Sequence, residues 1–376
     1  MSSRTDAELV KKITNVVQMR LHKTHVNLKR LVGIGKKIAD VELLIRKEPE
    51  DIRLIGLWGM GGIGKTILAE QVFIKLRSGY GGCLFLANER EQSRKHGMLS
   101  LKEKVFSELL GNGVKIDTPN SLPDDIVRRI GRMKVLIVLD DVNDSNHLEK
   151  LLGPLGNFGS GSRIIVTTRD MQVLKANKAD EVYPLREFSL NQALELFNLN
   201  FFNQCDDQRE YDNLSKRVVN YAKGIPLVLN ELAYLLRARN KEEWGSELDK
   251  LEKIPLPEVY DRMKLSYDDL DPKEQQIFLD LAFFFGRSHT EIKVDYLKSL
   301  LKKDGESGDS VFIVLERMKD KALITSSKDN FISMHDSLQV MAQEIVRRKS
   351  SNTGSHSRLW DLDDIHGEMK NDKVKA

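Results

Sequence analysis

The sequence contains few cysteines and no long apolar segment. Its 376 residues include only two cysteines, Cys83 and Cys205, which are too few for a disulfide framework and are not spaced as metal ligands. No apolar run approaches the roughly 18 residues that a membrane-spanning helix needs, and the N-terminus lacks the core of a signal peptide. These absences predict a soluble intracellular protein without a membrane span.

The sequence also lacks a strong excess of either charge. It has 59 basic and 56 acidic residues, and the resulting net charge of +3 is too small to indicate a nucleic-acid partner. Hydrophobic residues make up 40% of the chain, which is enough to form buried cores. For a chain of this length we expect two or three domains.

A glycine-rich segment from Gly59 to Thr66 matches the phosphate-binding pattern G-x-x-x-x-G-K-[ST] at every fixed position. A short, apolar, β-prone stretch at 52–58 precedes it, and apolar residues at helical spacing follow it. In this setting backbone N–H groups and a helix N-terminus can surround phosphate oxygens, so the segment predicts a nucleotide site. The pattern assigns Lys65 to the β- and γ-phosphates and the Thr66 hydroxyl to Mg²⁺. The alternative is a glycine-rich turn that binds nothing.

Two further apolar stretches are predicted to be parallel strands that end in polar residues. The stretch at 135–139 is followed by Asp140 and Asp141, and the stretch at 163–166 leads to Arg169. Because ligands bind at the C-terminal edge of parallel sheets, we expect Asp140 to hold Mg²⁺ and Asp141 to orient or deprotonate the attacking water. Arg169 could contact a γ-phosphate. The alternatives are a helix-start turn at Asp141 and a surface cation at Arg169.

The apolar pattern divides the chain into successive regions. We predict a linker helix at 1–25, an α/β P-loop domain with a parallel sheet and flanking helices at 26–186, a helical domain at 187–256, a winged-helix domain at 257–348 and a tail at 349–376. The apolar stretch at 83–86 predicts a fourth strand of the sheet. A fifth strand at 181–185 should lie at an edge of the sheet or end at Pro184, because proline cannot donate a ladder hydrogen bond. We also predict a two-stranded hairpin at 323–334 and a helix-capping box formed by Asp336 and Gln339.

Five segments, in this order and at these spacings, resemble the NB-ARC family, the nucleotide-binding domain shared by plant disease-resistance proteins and animal apoptosis regulators. They are Gly59–Thr66, Leu136–Asp141, Gly161–Arg169, Gly224–Leu227 and Met334–Asp336, all within residues 26–348. Val142 and Asn143 after the aspartate pair, together with the stretch at 85–97, resemble the plant subclass that carries an N-terminal Toll/interleukin-receptor domain. The chain departs from the family pattern at Ile67, where many members have threonine, and at Ile225 in the Gly-Leu-Pro-Leu motif.

The resemblance implies a binding site for ADP or ATP. Val32 and Gly33 would flank the adenine, Pro226 would pack on it, and His335 would hydrogen-bond the β-phosphate of ADP. Arg169 would sense the γ-phosphate. The full set of predicted nucleotide contacts is Val32, Gly33, Gly59, Gly61, Gly62, Ile63, Gly64, Lys65, Thr66, Ile67, Arg169, Pro226, Leu227 and His335. The predicted metal ligands are Thr66 and Asp140, and the predicted catalytic residues are Asp141, Asp140 and Lys65.

From these features we expect an adenine-nucleotide switch of an intracellular plant immune receptor, located in the cytoplasm or the nucleus. With ADP the three domains would close, with ATP they would open and self-associate, and slow ATP hydrolysis would reset the switch. The resemblance also implies a Toll-type domain and leucine-rich repeats as partners, and neither is present in this sequence. Two alternatives stay open: a P-loop ATPase with steady turnover and a winged-helix DNA-binding regulator.

Overall fold

The structure is a computed structural model that describes residues 31–353, apart from 112, 119–120, 202–210, 238, 252–253, 289–291, 302–307 and 328. The predicted linker helix at 1–25 and the predicted tail beyond residue 353 lie outside the described residues. Among the helices of the described part of the chain, none is both long and apolar enough to cross a membrane.

A five-stranded parallel sheet forms the centre of the first half of the chain. Its strands are β1 (Arg53–Trp58), β2 (Gly82–Leu86), β3 (Val135–Leu139), β4 (Arg163–Thr168) and β5 (Glu181–Pro184), in the spatial order β2-β3-β4-β1-β5. β4 therefore lies between the strand that precedes the phosphate-binding segment and the strand that ends before Asp140. This order brings the C-terminal ends of β1, β3 and β4 together. β5 lies at the edge of the sheet, as Pro184 predicted.

Helices cover this sheet on both faces, which explains why its strands are apolar without alternation. Every residue of β3 is fully buried, and the neighbours Leu54 and Ile55 on β1 belong to different hydrophobic clusters, one for each face. The helices are α1 (Ile34–Arg46), α2 (Lys65–Leu76), α3 (Glu89–His96), α4 (Met98–Leu110), α5 (Asp124–Ile130), α6 (Asn146–Leu152) and α7 (Met171–Ala176). The predicted α/β P-loop architecture is confirmed.

Four helices follow the sheet. They are α8 (Leu190–Phe201), α9 (Asp212–Ala222), α10 (Pro226–Arg237) and α11 (Lys241–Leu251). At the start of α8, the Gln192 N–H donates to the Ser189 hydroxyl over 3.4 Å and the Ser189 N–H donates to the Gln192 side chain over 3.1 Å. Trp244 of α11 is fully buried and packs edge-on against the rings of Phe197 and Phe201. This aromatic cluster joins α8 to α11.

The last described region combines five helices with a small antiparallel sheet. The helices are α12 (Pro257–Asp268), α13 (Pro272–Ser288), α14 (Val294–Leu301), α15 (Gly308–Asp320) and α16 (Asp336–Thr353), and the strands are β6 (Ile292–Lys293), β7 (Thr325–Ser326) and β8 (Phe331–Ser333). The strand order is β6-β8-β7, so the predicted hairpin is part of a three-stranded sheet. The sequence prediction missed β6 because its two residues form a strand only through pairing with β8, later in the chain. α16 continues past the boundary predicted at residue 348.

Arg163, the first residue of β4, fastens the C-terminal end of α1 to the sheet. Its guanidinium donates to five backbone carbonyls over 2.5–3.0 Å, those of Ile45, Lys47, Glu48, Asp51 and Ser162. Only 3% of Arg163 is exposed. Several of these carbonyls lie at or just after the last turn of α1, where a helix leaves its carbonyls unpaired and favours a cation. One buried side chain therefore holds α1 in position.

We expect Arg163→Met to lower the free energy of unfolding by at least about 3 kcal/mol, because each carbonyl that loses its buried donor costs roughly 1–3 kcal/mol. Urea unfolding followed by circular dichroism would measure the loss as a lower midpoint. Arg132→Met, at an arginine whose side chain is exposed, is the matched control and should leave the midpoint unchanged. A wild-type midpoint for Arg163→Met would contradict the role of this side chain.

Candidate functional site

The phosphate-binding segment forms a loop between β1 and α2 whose backbone conformation favours glycine. Gly62 and Gly64 have φ angles of 80° and 98°, which residues with a Cβ rarely adopt. Gly62 also lies against α10, since a Cβ added there would approach the Leu227 Cβ to 2.8 Å. α2 begins directly after Gly64, so its first N–H groups are available to an anion held in the loop.

Lys65 is the first residue of α2, and only 7% of it is exposed. Its Nζ donates to the carbonyl oxygens of Gly59 and Met60 over 2.7 and 2.8 Å. Burial, together with the charge of Arg169, lowers the pKa of Lys65 to about 7. The carboxylates of Asp141 and Asp140 act in the opposite direction and raise this pKa, but they do not outweigh burial. A phosphate close to Lys65 would stabilise the charged ammonium, so anion binding in the loop is coupled to protonation of Lys65.

Asp140 follows β3 and is 1% exposed. Its Oδ1 accepts hydrogen bonds from the hydroxyls of Thr66, over 2.8 Å, and Thr167, over 2.7 Å. Mg²⁺ prefers an octahedral shell of oxygens and commonly takes one or two protein ligands, with phosphates and water supplying the others. The Thr66 hydroxyl and the Asp140 carboxylate fit such an ion. The described residues contain no group of three or more His, Cys, Asp or Glu side chains that would form a closed metal cage.

Asp141 has a φ of 58°, a left-handed conformation that is strained for a residue with a Cβ. Its N–H donates to the Thr167 hydroxyl over 2.9 Å, and its Oδ1 accepts from the Nε of Arg169 over 3.2 Å. The Nη1 of Arg169 donates to the backbone carbonyl of Arg262, on α12, over 2.6 Å. Arg169 therefore joins the edge of the sheet to the last region of the chain.

Two cavities meet at the phosphate loop. The first, the apolar cavity, has a volume of about 500 Å³, and the second, the polar cavity, has a volume of about 890 Å³. Predicted site residues that line the apolar cavity are Val32, Ile63, Gly64, Ile67 and Pro226. Those that line the polar cavity are Gly62, Gly64, Lys65, Thr66, Ile67, Asp141, Arg169, Pro226 and Leu227. The structure thus brings together most of the residues that the motifs predicted.

The other predicted residues are not among the lining residues of either cavity. Gly59 and Gly61 lie within the phosphate loop, and Asp140 lies beneath it, bonded to Thr66. Gly33 is covered by Gln192 of α8, because a Cβ added to this glycine would lie 2.5 Å from the Gln192 amide nitrogen. The roles predicted for all these residues stay predictions.

His335 contacts the connection between α9 and α10. Its Nδ1 accepts a hydrogen bond from the Ser337 N–H over 3.1 Å, so Nδ1 carries no proton in this arrangement. Nε2 is then the protonated nitrogen of a neutral ring and donates to the Lys223 carbonyl over 3.3 Å. Burial lowers the pKa of His335, although the bond to Lys223 and the charges of Glu187 and Asp336 act in the opposite direction.

We expect the hydrogen bond from the Ser337 N–H to the His335 ring to be lost as the pH falls below 6.5, because a protonated Nδ1 cannot accept it. Because the folded protein lowers the pKa of His335, the neutral ring contributes stability above the ordinary value of 6.5, and this contribution is lost as the pH falls through the folded-state pKa. The charged groups that face the ring are Glu187, Asp336 and Lys223. Thermal unfolding from about pH 7 to about pH 5 would measure the effect.

The control for this pH dependence is His335→Gln, which keeps a donor and an acceptor but does not titrate. The thermal midpoint of the wild-type protein should fall relative to that of the variant as the pH is lowered. Other titrating groups, such as His147, act on both proteins and cancel in the comparison. If the difference between the thermal midpoints of the two proteins did not change with pH, the titration of His335 would make no contribution to stability.

The predicted capping box at Asp336 is wrong. The N–H groups of Leu338 and Gln339 donate to the His335 carbonyl over 2.9 and 3.2 Å, and the His335 ring accepts from Ser337, so His335 caps α16. Asp336 is exposed, and its carboxylate lies 3.4 Å from the ammonium of Lys223. The sequence pattern missed the cap because histidine is not among the residues that usually occupy this position.

The structure also brings together charged residues that no sequence pattern predicted. Asp170 accepts hydrogen bonds from Arg317, over 2.8 Å, and from Lys321, over 3.1 Å. Burial disfavours the charged form of Asp170, but the bond from Arg317 and the nearby positive charges outweigh it and lower the pKa of Asp170. Arg90 binds Asp269 through two hydrogen bonds of 3.0 and 2.9 Å. We call these five residues the charged cluster. It links the α/β region to the last region.

Comparison with solved structures supports the fold. The Walker-type ATPase PABY2304 of Pyrococcus abyssi superposes with a TM-score of 0.57 over 84% of this chain and 96% of its own, at 14% identity. The ORC2 protein of Aeropyrum pernix, in its ADPNP-ADP complexes, superposes with a TM-score of 0.50 over 83% of this chain and 94% of its own, at 12% identity. These likenesses extend across the P-loop region and the regions that follow it.

Family models match two parts of the chain. The NB-ARC domain matches residues 36–207, and the winged-helix domain of Roq1-like disease resistance proteins matches residues 271–350. Disease resistance-like protein DSC1 of Arabidopsis thaliana is 38% identical over 89% of this chain, and TMV resistance protein N of Nicotiana glutinosa is 34% identical over 98%. The chain spans 28% and 32% of the lengths of these relatives. The resemblance of the five motifs is thereby confirmed, and the chain belongs to the NB-ARC family of plant disease-resistance proteins.

Proposed function

We propose that this chain is the adenine-nucleotide switch of an intracellular plant immune receptor. The observation that carries the proposal is that both later regions of the chain contact the phosphate loop. The Leu227 N–H of α10 donates to the Gly62 carbonyl over 3.2 Å, and a Cβ added to Gly61 would lie 3.1 Å from the Arg262 carbonyl of α12. A nucleotide on this loop would touch all three regions, so its exchange can change how they pack.

In this proposal the base occupies the apolar cavity, against Val32 and Pro226, and the phosphates occupy the polar cavity beside Lys65. Mg²⁺, when bound, would neutralise charge between the β- and γ-phosphates. Thr66 and Asp140 would hold that ion. Asp141, fixed by its bonds to Thr167 and Arg169, would orient the attacking water for a slow hydrolysis that restores the ADP form.

Arg169 is the residue that distinguishes ATP from ADP in this proposal. Its contacts are the Asp141 carboxylate and the neutral carbonyl of Arg262. Because a phosphate binds guanidinium more strongly than a carbonyl does, a γ-phosphate would withdraw Arg169 from α12 and disfavour the closed form. With ADP, the Nε2–H of His335 would instead leave the Lys223 carbonyl, donate to the β-phosphate and hold the closed form. Each nucleotide shifts the equilibrium only by its difference in affinity for the two forms.

The partners belong to the same proposal. The ATP-bound open form would self-associate, and a Toll-type domain and leucine-rich repeats of a full-length receptor would supply output and recognition. The support from the relatives is for a role in disease resistance, as their names state, and this chain matches 28% and 32% of their lengths. The cytoplasm is the compartment that we propose, with the nucleus as the alternative.

The alternative of a DNA-binding winged helix is disfavoured by the contacts at the end of α15. Arg317 and Lys321 donate to Asp170, and Lys319 lies 3.4 Å from the carboxylate of Glu316. These cations are therefore neutralised by acidic partners, whereas DNA binding needs lysine and arginine that are free to contact phosphates.

The experiment that tests the switch is to denature the purified chain and identify the released nucleotide by ion-exchange chromatography. Near-stoichiometric ADP, with ATP turnover far below the ordinary enzyme rate of about 10 per second, is the expected result. An empty site with rapid ATP turnover would indicate the steady ATPase instead. An empty site with no turnover would contradict the proposal.

A further inference from the structure

The apolar and polar cavities share four lining residues, and only one of them has a polar side chain. Gly64, Ile67 and Pro226 are shared, and the fourth is Asn230. In any nucleotide the ribose connects the base to the phosphates. A base in the apolar cavity and phosphates in the polar cavity would therefore leave the ribose at this junction, where its hydroxyls need hydrogen-bond partners.

Asn230 is fixed at the junction by α10 and α8. It lies four residues after Pro226, so both residues are on the helix face that lines the apolar cavity. Its Oδ1 accepts a hydrogen bond from the Nδ2 of Asn200, on α8, over 2.8 Å. Arg237 donates to the backbone carbonyl of Asn200 and holds the two helices together at this point.

The bond between the two amides leaves one donor group and one acceptor group available. The Nδ2 of Asn230 and the Oδ1 of Asn200 bind no other side chain among the described residues. A donor beside an acceptor matches the two adjacent hydroxyls of a ribose, because one hydroxyl can accept a hydrogen bond while the other donates one. We propose that Asn230 and Asn200 form a ribose subsite and select nucleotides that carry both the 2′- and the 3′-hydroxyl over nucleotides that lack them. This inference rests on the proposed function.

The test compares ADP with 2′,3′-dideoxy-ADP by isothermal titration calorimetry, on the full chain after bound nucleotide has been removed. The wild-type protein is expected to bind ADP roughly tenfold more tightly than the dideoxy nucleotide, the effect of one or two hydrogen bonds. Asn230→Ala is expected to lose most of this preference. Its affinity for ADP should fall, while its affinity for the dideoxy nucleotide should stay at the wild-type value.

Asn220→Ala, at an exposed asparagine of α9 that lines neither cavity, is the matched control and should keep both wild-type affinities. Equal weakening of both nucleotides by Asn230→Ala would overturn the ribose subsite and leave nucleotide binding itself intact. A wild-type protein that binds both nucleotides equally would also overturn it. A wild-type protein that binds neither would refute the proposed function, and the inference with it.

Discussion

Lys65→Ala is expected to abolish the retention of nucleotide during purification, with an affinity at least roughly 100-fold below that of the wild-type protein. Hydrogen bonds to charged groups contribute about 1.5–3 kcal/mol each, and in the proposed site the ammonium of Lys65 would contact two phosphates. Lys65 is 7% exposed and is already held at the loop by the carbonyls of Gly59 and Met60, so its position is preorganised. Ion-exchange chromatography of the denatured variant measures the result.

Lys75→Ala is the matched control for this substitution. Lys75 lies on the same helix, with half of its side chain exposed, and pairs with Glu42 away from the phosphate loop. This variant should retain nucleotide as the wild-type protein does. A Lys65→Ala protein that still carries stoichiometric ADP would show that the loop does not use its lysine for phosphate, which is incompatible with the proposed site.

Asp170→Ala is expected to lower the free energy of unfolding by about 3–5 kcal/mol and to open the contact between the α/β region and α15. The carboxylate of Asp170 is the partner of Lys321, which is only 4% exposed, and of Arg317. Its removal leaves a buried ammonium that is 3.9 Å from the next carboxylate, that of Asp269. The unfolding midpoint in urea and the rate of ADP release should both report the loss.

Two comparisons isolate the ion pair from the other role of Asp170, which caps α7 through a 3.0 Å bond from the Gln172 N–H. Asp170→Asn keeps a good capping residue but removes the charge, so it should retain the cap and lose the pair. Asp249→Ala removes the exposed partner of Arg217 and should cost no more than about 1 kcal/mol. An Asp170→Ala protein as stable as Asp249→Ala would show that the charged cluster does not hold the regions together.

The phosphate loop and the elements beside it could be predicted because they depend on residues close together in the chain. Gly62 and Gly64 are required by local backbone conformation, and Lys65 stands at the start of a helix whose N-terminus faces the loop. Pro184 predicted an edge strand because it lacks an N–H donor. The domain boundaries stay predictions.

Contacts between distant parts of the chain could not be predicted in the same way. The Thr167 hydroxyl contacts both Asp140 and Asp141 only because β4 lies next to β3. The same five strands could form a parallel sheet in several other orders, so this neighbourhood does not follow from the residues of each strand. His335 caps α16 and contacts Lys223, neither of which follows from a spacing pattern. Both contacts depend on how the later regions pack.

By itself, the sequence determined the five strands of the parallel sheet, the phosphate loop and the carboxylate that follows β3. These features follow from backbone preferences and from hydrophobic spacing, which act over a few residues. Only the tertiary structure decided which charges meet in the charged cluster and which amides meet at Asn230. The physical reason is that packing alone sets which distant residues become neighbours, and a buried carboxylate such as that of Asp170 is stable only with a partner beside it.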